Sequence, residues 1–199
     1  MSDLPNVEIN NKETIDIILI NLEKLLQRRG YIDKISNELK KNMHEDKNIN
    51  IKNNKINLNV NFMNQEVKNI SSNSPIDEYL SKNIDTHKIL IVQRFSKKTY
   101  KQVTEEYTNA EIFSLHEFLE DIPSKNFIPI HTLIEGKDRE ELLKSFSMKE
   151  LGRIYNTDIM ARYYNAKVND IFRISRPNIS SGYSIYYRLV VPGSLEIFQ

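Results

Sequence analysis

Apolar residues recur at helical spacing near the start of the chain. Ile15, Ile18, Leu19, Leu22, Leu25 and Leu26 form one stripe, which predicts an amphipathic helix over 12–29, capped by Asn11 or Thr14 and stopped at Gly30. A second stripe, Ile32, Ile35 and Leu39, predicts a helix from Tyr31 to about Asn42. The polar residues 44–54 carry no period and read as a loop. The pattern then switches to alternation. Ile56, Leu58, Val60 and Phe62 point one way and Asn57, Asn59 and Asn61 the other, as in a half-buried strand. A short strand over Val67–Ile70 and a short helix over Ile76–Lys82 are expected next. The continuous run Ile89-Leu90-Ile91-Val92 within Lys88–Phe95 predicts a strand covered on both faces. A helix over Thr99–Asn109, a strand over Ala110–Phe113 and a short helix over His116–Glu120 complete this half.

Past Pro123-Ser124-Lys125-Asn126 the pattern restarts. Ile128–Leu133 predicts a strand with Ile128, Ile130 and Thr132 on one face. Asp138 is placed to cap a helix through Ser147, with Leu142, Leu143 and Phe146 inward. Met148–Ile154 reads as extended or irregular. Asp158 is placed to cap a short helix through Tyr164, and Asn165 and Asn169 stand where left-handed backbone is expected. A strand from Asp170 buries Ile171, Phe172 and Ile174 and is expected to end at Arg176-Pro177, since proline cannot donate to a ladder. After a loop over 178–182, Ser184–Val191 alternates: Ile185, Tyr187, Leu189 and Val191 on one side, Tyr186, Arg188 and Val190 on the other. Strands interleaved with helices predict an α+β or α/β protein of two domains, 1–125 and 126–199.

Composition narrows the function without fixing it. Twenty-eight Lys and Arg against 27 Asp and Glu leave a net charge of +1, so any nucleic-acid contact must come from a local cluster. No cysteine is present, which excludes disulfides and thiolate metal sites. No apolar run is long enough to span a membrane, and the N-terminus lacks a signal pattern. The four histidines are scattered, with no two on one helical face, so neither a metal nor a cofactor is expected.

Three groups of residues carry candidate chemistry. Glu66 and Lys68, two apart, have the spacing of a metal-dependent nuclease pair, for which Asp46 is the only upstream acid in reach; the same spacing is common on solvated strand edges. Arg94, Lys97, Lys98 and Lys101 gather four positive charges at a strand-to-helix turn with no acid among them. Such a cluster suits phosphate contacts, or is a solvated helix start that opposes the helix dipole. In the C-terminal part, Arg162, Arg173, Arg176 and Arg188, with Tyr163 and Tyr187, face only Asp158 and Asp170. That suits either a recognition surface or structural ion pairs.

These residues also resemble a known family. Asp158, Ala161, Arg162 and Tyr163, then Ile171, Arg173, Ile174, Arg176, Pro177 and Gly182, then Tyr187, Arg188 and Val190 resemble the C-terminal module of the RNA polymerase jaw subunit. That subunit is shared by the three eukaryotic nuclear polymerases, I, II and III, and has a shorter archaeal counterpart. Leu151, Arg153, Ile154 and His131-Thr132-Leu133-Ile134 extend the similarity upstream, and Arg29-Gly30-Tyr31 carries it into the first half. Ile159 and Gly152 stand where the family has proline, Asn165 and Asn169 where it has glycine, and Asn178-Ile179 where it has Ser-Glu.

The resemblance implies an N-terminal jaw domain of nuclease-like topology without nuclease chemistry, and a small C-terminal assembly module with a mixed sheet. It implies a non-catalytic subunit that packs on the largest polymerase subunit beside downstream duplex DNA, with Arg162, Tyr163, Arg173, Arg176, Pro177, Tyr187 and Arg188 at subunit interfaces. A cellular member would be nuclear; a viral one would be found in host cytoplasm or virion. The asparagine-rich composition suits a divergent member from a large DNA virus or an AT-rich protist. The alternative is a stand-alone nuclease or nucleic-acid-binding module.

Overall fold

The computed structural model describes residues 12–107, 109–178 and 182–194. The chain divides into two units, 1–120 and 121–199.

The N-terminal unit opens with α1 (Lys12–Arg28), whose apolar stripe is buried from Ile15 to Leu26. Its end is a Schellman motif: Tyr31 N–H donates to the Leu26 carbonyl and Gly30 N–H to that of Gln27, with Gly30 at φ 69°. The next helix, α2 (Asn37–Glu45), starts six residues later than its stripe suggests, because the Ser36 side chain accepts from Leu39 N–H and sets the cap there. Ile35 is buried ahead of the helix instead of within it.

Residues 44–54 are not a loop. They finish α2 and then form β1 (Asn48–Lys52), which pairs antiparallel with β2 (Asn57–Val67) and buries Ile49 and Ile51. Strand β2 absorbs Val67, so no separate strand follows it, and its register shifts between Met63 and Glu66. Next come α3 (Pro75–Ser81), β3 (His87–Phe95), α4 (Lys97–Glu106) and β4 (Ala110–Ser114), then a 3-10 turn over Leu115–Phe118 in place of the expected helix. Helix α4 begins earlier than Thr99 because Ser96 caps it by accepting from Thr99 N–H.

The strands lie in the order β1-β2-β3-β4, parallel except for β1. On one face Leu90, Val92 and Ile112 pack with Ile76, Leu80 and Val103 from α3 and α4. On the other, Leu58, Val60, Phe62, Ile89, Ile91 and Phe113 are all buried. Helix α1 is held on this second side, where the Asn21 amide donates to the Phe118 carbonyl (2.8 Å) and Phe118 meets Phe113 edge-on. Residues 88–92 are therefore covered twice, as the unbroken apolar run requires.

The C-terminal unit is a sheet in the order β5-β7-β8-β6. Strand β5 (Ile130–Ile134) and β8 (Gly182–Val191) both run antiparallel to β7 (Ile171–Asn178), and β6 (Gly152–Tyr155) runs parallel to β8. Helix α5 (Gly136–Ser145) covers one face through Leu142, which packs with Ile134, Leu151 and Ile171. The five-residue α6 (Ile159–Tyr163) covers the other through Ala161, packed with Phe172, Ile174 and Val190.

Several expectations change here. Strand β5 begins at Ile130 and not at Ile128; Ile130 and Thr132 share one face, as expected, and both are exposed, while His131 turns inward. Helix α5 starts at Gly136 after Glu135, so Asp138 lies in the first turn and is not the cap; Phe146 ends the helix in extended backbone, half exposed. Residues 152–155 are ladder, since Gly152 pairs with Arg188. Pro177 does not end β7: it pairs with Tyr183 in the hairpin, and past Ser175 no β5 residue lies on its other side to need its missing N–H.

Candidate assembly surface

The local geometry of the C-terminal unit follows from three short side chains. Asp158 accepts from Met160 N–H at 2.8 Å and starts α6. Asn165, at φ 51°, ends it. Its N–H donates to the Arg162 carbonyl and that of Ala166 to the Ala161 carbonyl, another Schellman pair. Asn169, at φ 77°, occupies the third position of the turn 167–170, where a type II turn demands left-handed backbone. Both asparagines do a glycine's work, as their short polar side chains allow.

The residues expected at an interface do not share one surface. Strand parity and register put Arg176 and Arg188 on the α6 face of the sheet with His131, Ile174 and Tyr186. They put Arg173 and Tyr187 on the α5 face, where Tyr187 packs beside Leu189. Arg173, Arg176, Pro177 and Arg188 are exposed, and Arg162 and Tyr187 are half-buried. Tyr163 is buried and meets Tyr164 edge-on at 5.4 Å. Pro177 lies at the hairpin end. Asn178 is described, while Ile179 and the tail from Leu195 lie outside the described residues.

On the α6 face a cleft of about 570 Å3 opens between Phe127, Ile159, Met160, Tyr186, Arg176 and Arg188. Phe127 is 74% exposed, and Tyr186 is exposed as well. The floor includes His131, a residue that sequence reasoning leaves as an ordinary histidine. It is 9% exposed, meets Phe172 edge-on at 5.6 Å, and has Nδ1 2.7 Å from the Pro129 carbonyl. Burial pushes the ring's pKa below its ordinary value. The Pro129 carbonyl and the Asp158 charge oppose that shift, and Arg188 adds to it. The cleft combines exposed aromatic surface with two arginines, the composition of protein-protein contact centres.

In the N-terminal unit Arg94, Lys97, Lys98 and Lys101 are all exposed around the start of α4, and Lys101 lies 3.8 Å from Glu105 one turn on. Glu66 and Lys68 are exposed at the end of β2, and Asp46 is the C-cap of α2. Among the described residues no three His, Asp or Glu side chains are grouped to hold a metal ion.

A third cluster carries no periodic signal in the sequence. Arg29 grips Glu111 with two hydrogen bonds of 2.7 Å, and His87 Nε2 lies 2.5 Å from the same carboxylate. The Arg29 and Glu111 side chains are 2% and 11% exposed. Burial alone would raise the Glu111 pKa, but the charges and hydrogen bonds of Arg29 and His87 bring it down to about 2. Arg29-Gly30-Tyr31 is thus a structural device: the arginine anchors the end of α1 to β4 and lies 5.9 Å from the Tyr31 ring.

Comparison with known proteins places this arrangement. The sequence model of the family described as RNA polymerase Rpb5, C-terminal domain, matches residues 120–190. The chain is 31% identical over 195 residues to DNA-directed RNA polymerase subunit 5 of Acanthamoeba polyphaga mimivirus, covering 92% of this chain and 94% of that one. It is 33% identical over 110 residues to the Dictyostelium discoideum subunit rpabc1 of DNA-directed RNA polymerases I, II and III, covering 52% and 56%. Over 75 residues it is 36% identical to subunit Rpo5 of Thermofilum pendens, covering 37% of this chain and 94% of that one. One similarity runs through both units and another is confined to the length of a much shorter relative, and with them the chain belongs to the RNA polymerase Rpb5 family.

Proposed function

We propose that this chain is a non-catalytic subunit of a multisubunit DNA-directed RNA polymerase and acts in transcription. Nucleotide addition belongs to other subunits. The C-terminal unit is the assembly module and docks on the largest subunit through the α6-face cleft. The N-terminal unit, a nuclease-like fold without nuclease chemistry, forms part of the lower jaw, where Arg94, Lys97, Lys98 and Lys101 make weak, non-specific contacts to downstream duplex DNA. In a cell the site of action is the nucleus; for a viral polymerase it is host cytoplasm or virion.

The observation that carries the docking surface is the combination in one cleft of exposed Phe127 and Tyr186 with Arg176 and Arg188. Large aromatics left uncovered beside arginines mark contact centres. Arg173 and Tyr187, on the opposite face, belong to a second contact.

The test is recovery of the largest subunit with affinity-tagged full-length chain after coexpression. Phe127→Ala and Arg176→Glu are expected to cut recovery severalfold, with the thermal midpoint of the free chain unchanged. Recovery unaffected by both substitutions refutes the cleft as the docking surface. Failure of the unsubstituted chain to recover any polymerase subunit refutes the assembly role.

A further inference from the structure

The ribbon formed by the ends of β7 and β8 outruns the rest of its sheet. Strand β5 stops pairing with β7 at Ser175, and β6 pairs with β8 only from Arg188 onward. Residues 176–178 and 182–187 therefore have a strand neighbour on one side only. A two-stranded ribbon standing alone is marginally stable in water.

Register fixes where the free main-chain groups point. Val190 N–H donates to the Asp170 carbonyl, and the Val190 carbonyl accepts from Asn169 N–H, so both groups of Val190 face the β7 side. The pairing runs without a shift from Ile171 with Leu189 to Asn178 with Gly182. Alternate residues of a strand turn their N–H and C=O to opposite sides. Ser184 and Tyr186 thus serve the ladder with β7, while Tyr183 and Ile185 each present an N–H and a C=O to the empty side. Among the described residues no backbone hydrogen bond reaches 183–186 from any element but β7.

The two edges of the ribbon differ in kind. Edge strands are ordinarily guarded by proline or charge. The β7 edge has both, in Pro177, which cannot donate, and Arg176 beside it. From Gly182 to Tyr187 the β8 edge has neither. Its side chains are uncovered instead: Tyr183 is 63% and Ile185 46% exposed on the α5 face, and Tyr186 is exposed on the α6 face. Charge around this edge has one sign. Strands β7 and β8 carry Arg173, Arg176 and Arg188 and no acid. Asp158, which lines the cleft with Arg176 and Arg188, is engaged as the cap of α6.

We propose that the open edge of β8 takes up an extended segment of a partner protein as a further strand. The segment is apolar at the alternate positions on the α5 face and carries carboxylates at those on the α6 face. Its main chain bonds to Tyr183 and Ile185, which supplies affinity, and its alternating side chains supply selectivity. The apolar ones lie beside Tyr183 and Ile185, and the carboxylates answer Arg188 and Arg176. The site shares these arginines with the docking cleft but does not rest on the polymerase reading, because its test needs only the free chain.

The probe is a short end-capped peptide alternating valine and glutamate, titrated into the full-length chain and followed by backbone amide NMR. Saturable shifts and slowed solvent exchange are expected at the Tyr183 and Ile185 amides. A peptide alternating valine and lysine is expected to bind at least about tenfold more weakly, the weight of one charge-assisted hydrogen bond. N-methylation of the glutamate peptide at one alternate set of residues is expected to abolish binding, and at the other set to leave it, since only one set faces the edge. Ile185→Pro removes an edge donor without removing a ladder bond to β7 and is expected to weaken binding by about tenfold. Should that variant fail to fold, the two methylated peptides give the same reading. Absence of saturable shifts, equal affinity for the glutamate and lysine peptides, or equal effects of the two methylations overturns the assignment. So does self-association that shifts the Tyr183 and Ile185 amides without peptide, which makes a second copy of the chain the occupant.

Discussion

Replacing Glu111 by glutamine isolates a buried ion pair of the N-terminal unit. The substitution keeps the volume and removes the carboxylate charge that meets Arg29, whose side chain is only 2% exposed. Removing one partner of a buried pair costs about 3–5 kcal/mol. A carboxyl moved from 4.5 to about 2 in the folded state corresponds to about 3 kcal/mol at neutral pH. The sign follows from the depressed pKa: the contribution is complete above the unfolded carboxyl's range near 4.5 and drains away as pH falls toward 2. Urea unfolding of the N-terminal unit, measured from about pH 7 down to about pH 2 on the native chain and Glu111→Gln, reads both. A loss of about 3 kcal/mol at neutral pH that narrows below the ordinary carboxyl range is expected. Arg29→Met combined with Glu111→Leu is expected to recover much of that loss, since an apolar pair leaves no orphaned charge. A Glu111→Gln cost below about 1 kcal/mol, or parallel curves through the acid range, refutes the reasoning.

Other outcomes follow from the geometry. Asn165→Ala is expected to destabilise the C-terminal unit by about 1 kcal/mol in thermal unfolding, because alanine is strained at φ 51°, whereas Asn165→Gly costs nothing or gains slightly; equal effects of the two would show that strain is not the cause. Asp158→Ala removes the cap of α6 and is expected to cost about 1 kcal/mol, against a negligible loss for Asp158→Asn; a full loss in the asparagine variant would mean that charge, and not the hydrogen bond to Met160, is what matters. Acidification through the ordinary histidine range is expected to destabilise the C-terminal unit, because His131 is held neutral by burial and the folded state takes up its proton later than the unfolded chain. His131→Phe would abolish that part of the pH dependence, and an unchanged profile would exclude His131 as its source. If the basic cluster touches DNA, Lys97→Glu with Lys98→Glu should flatten the salt dependence of polymerase binding to downstream duplex; an unchanged slope would leave those lysines as a solvated helix start.

Much of the fold is legible in the chain because local signals and burial agree. The stripe from Ile15 to Leu26, the run Ile89–Val92 and the Asp158 cap all appear where the pattern places them. Strand β1 escapes because Asn-Ile-Asn-Ile-Lys alternates for only five residues, and asparagine reads as loop when its partner strand is unknown. The inward turn of His131 escapes because its neighbour Ile130 is the more apolar residue and yet is the one left exposed. The division of the arginines was readable in principle. Arg173 and Arg176 differ by an odd number and so must point to opposite faces once the strand continues through Pro177. The Arg29–Glu111–His87 cluster was not readable, because the parallel pairing of β3 and β4 joins His87 to Glu111 and the end of α1 then brings Arg29 to them from far away in sequence.

The left-handed asparagines have a consequence for how this backbone could change. Among the described residues Asn73, Asn83, Asn109, Asn165 and Asn169 hold positive φ, as do Lys47 and three glycines. Each asparagine keeps a small unrelieved strain at a turn far in sequence from most of the others, and distant sites act nearly independently. The chain therefore carries a graded reserve of stability outside its hydrophobic core. Compositional drift can spend or restore that reserve one turn at a time, while the sheets and the surfaces they present stay as they are.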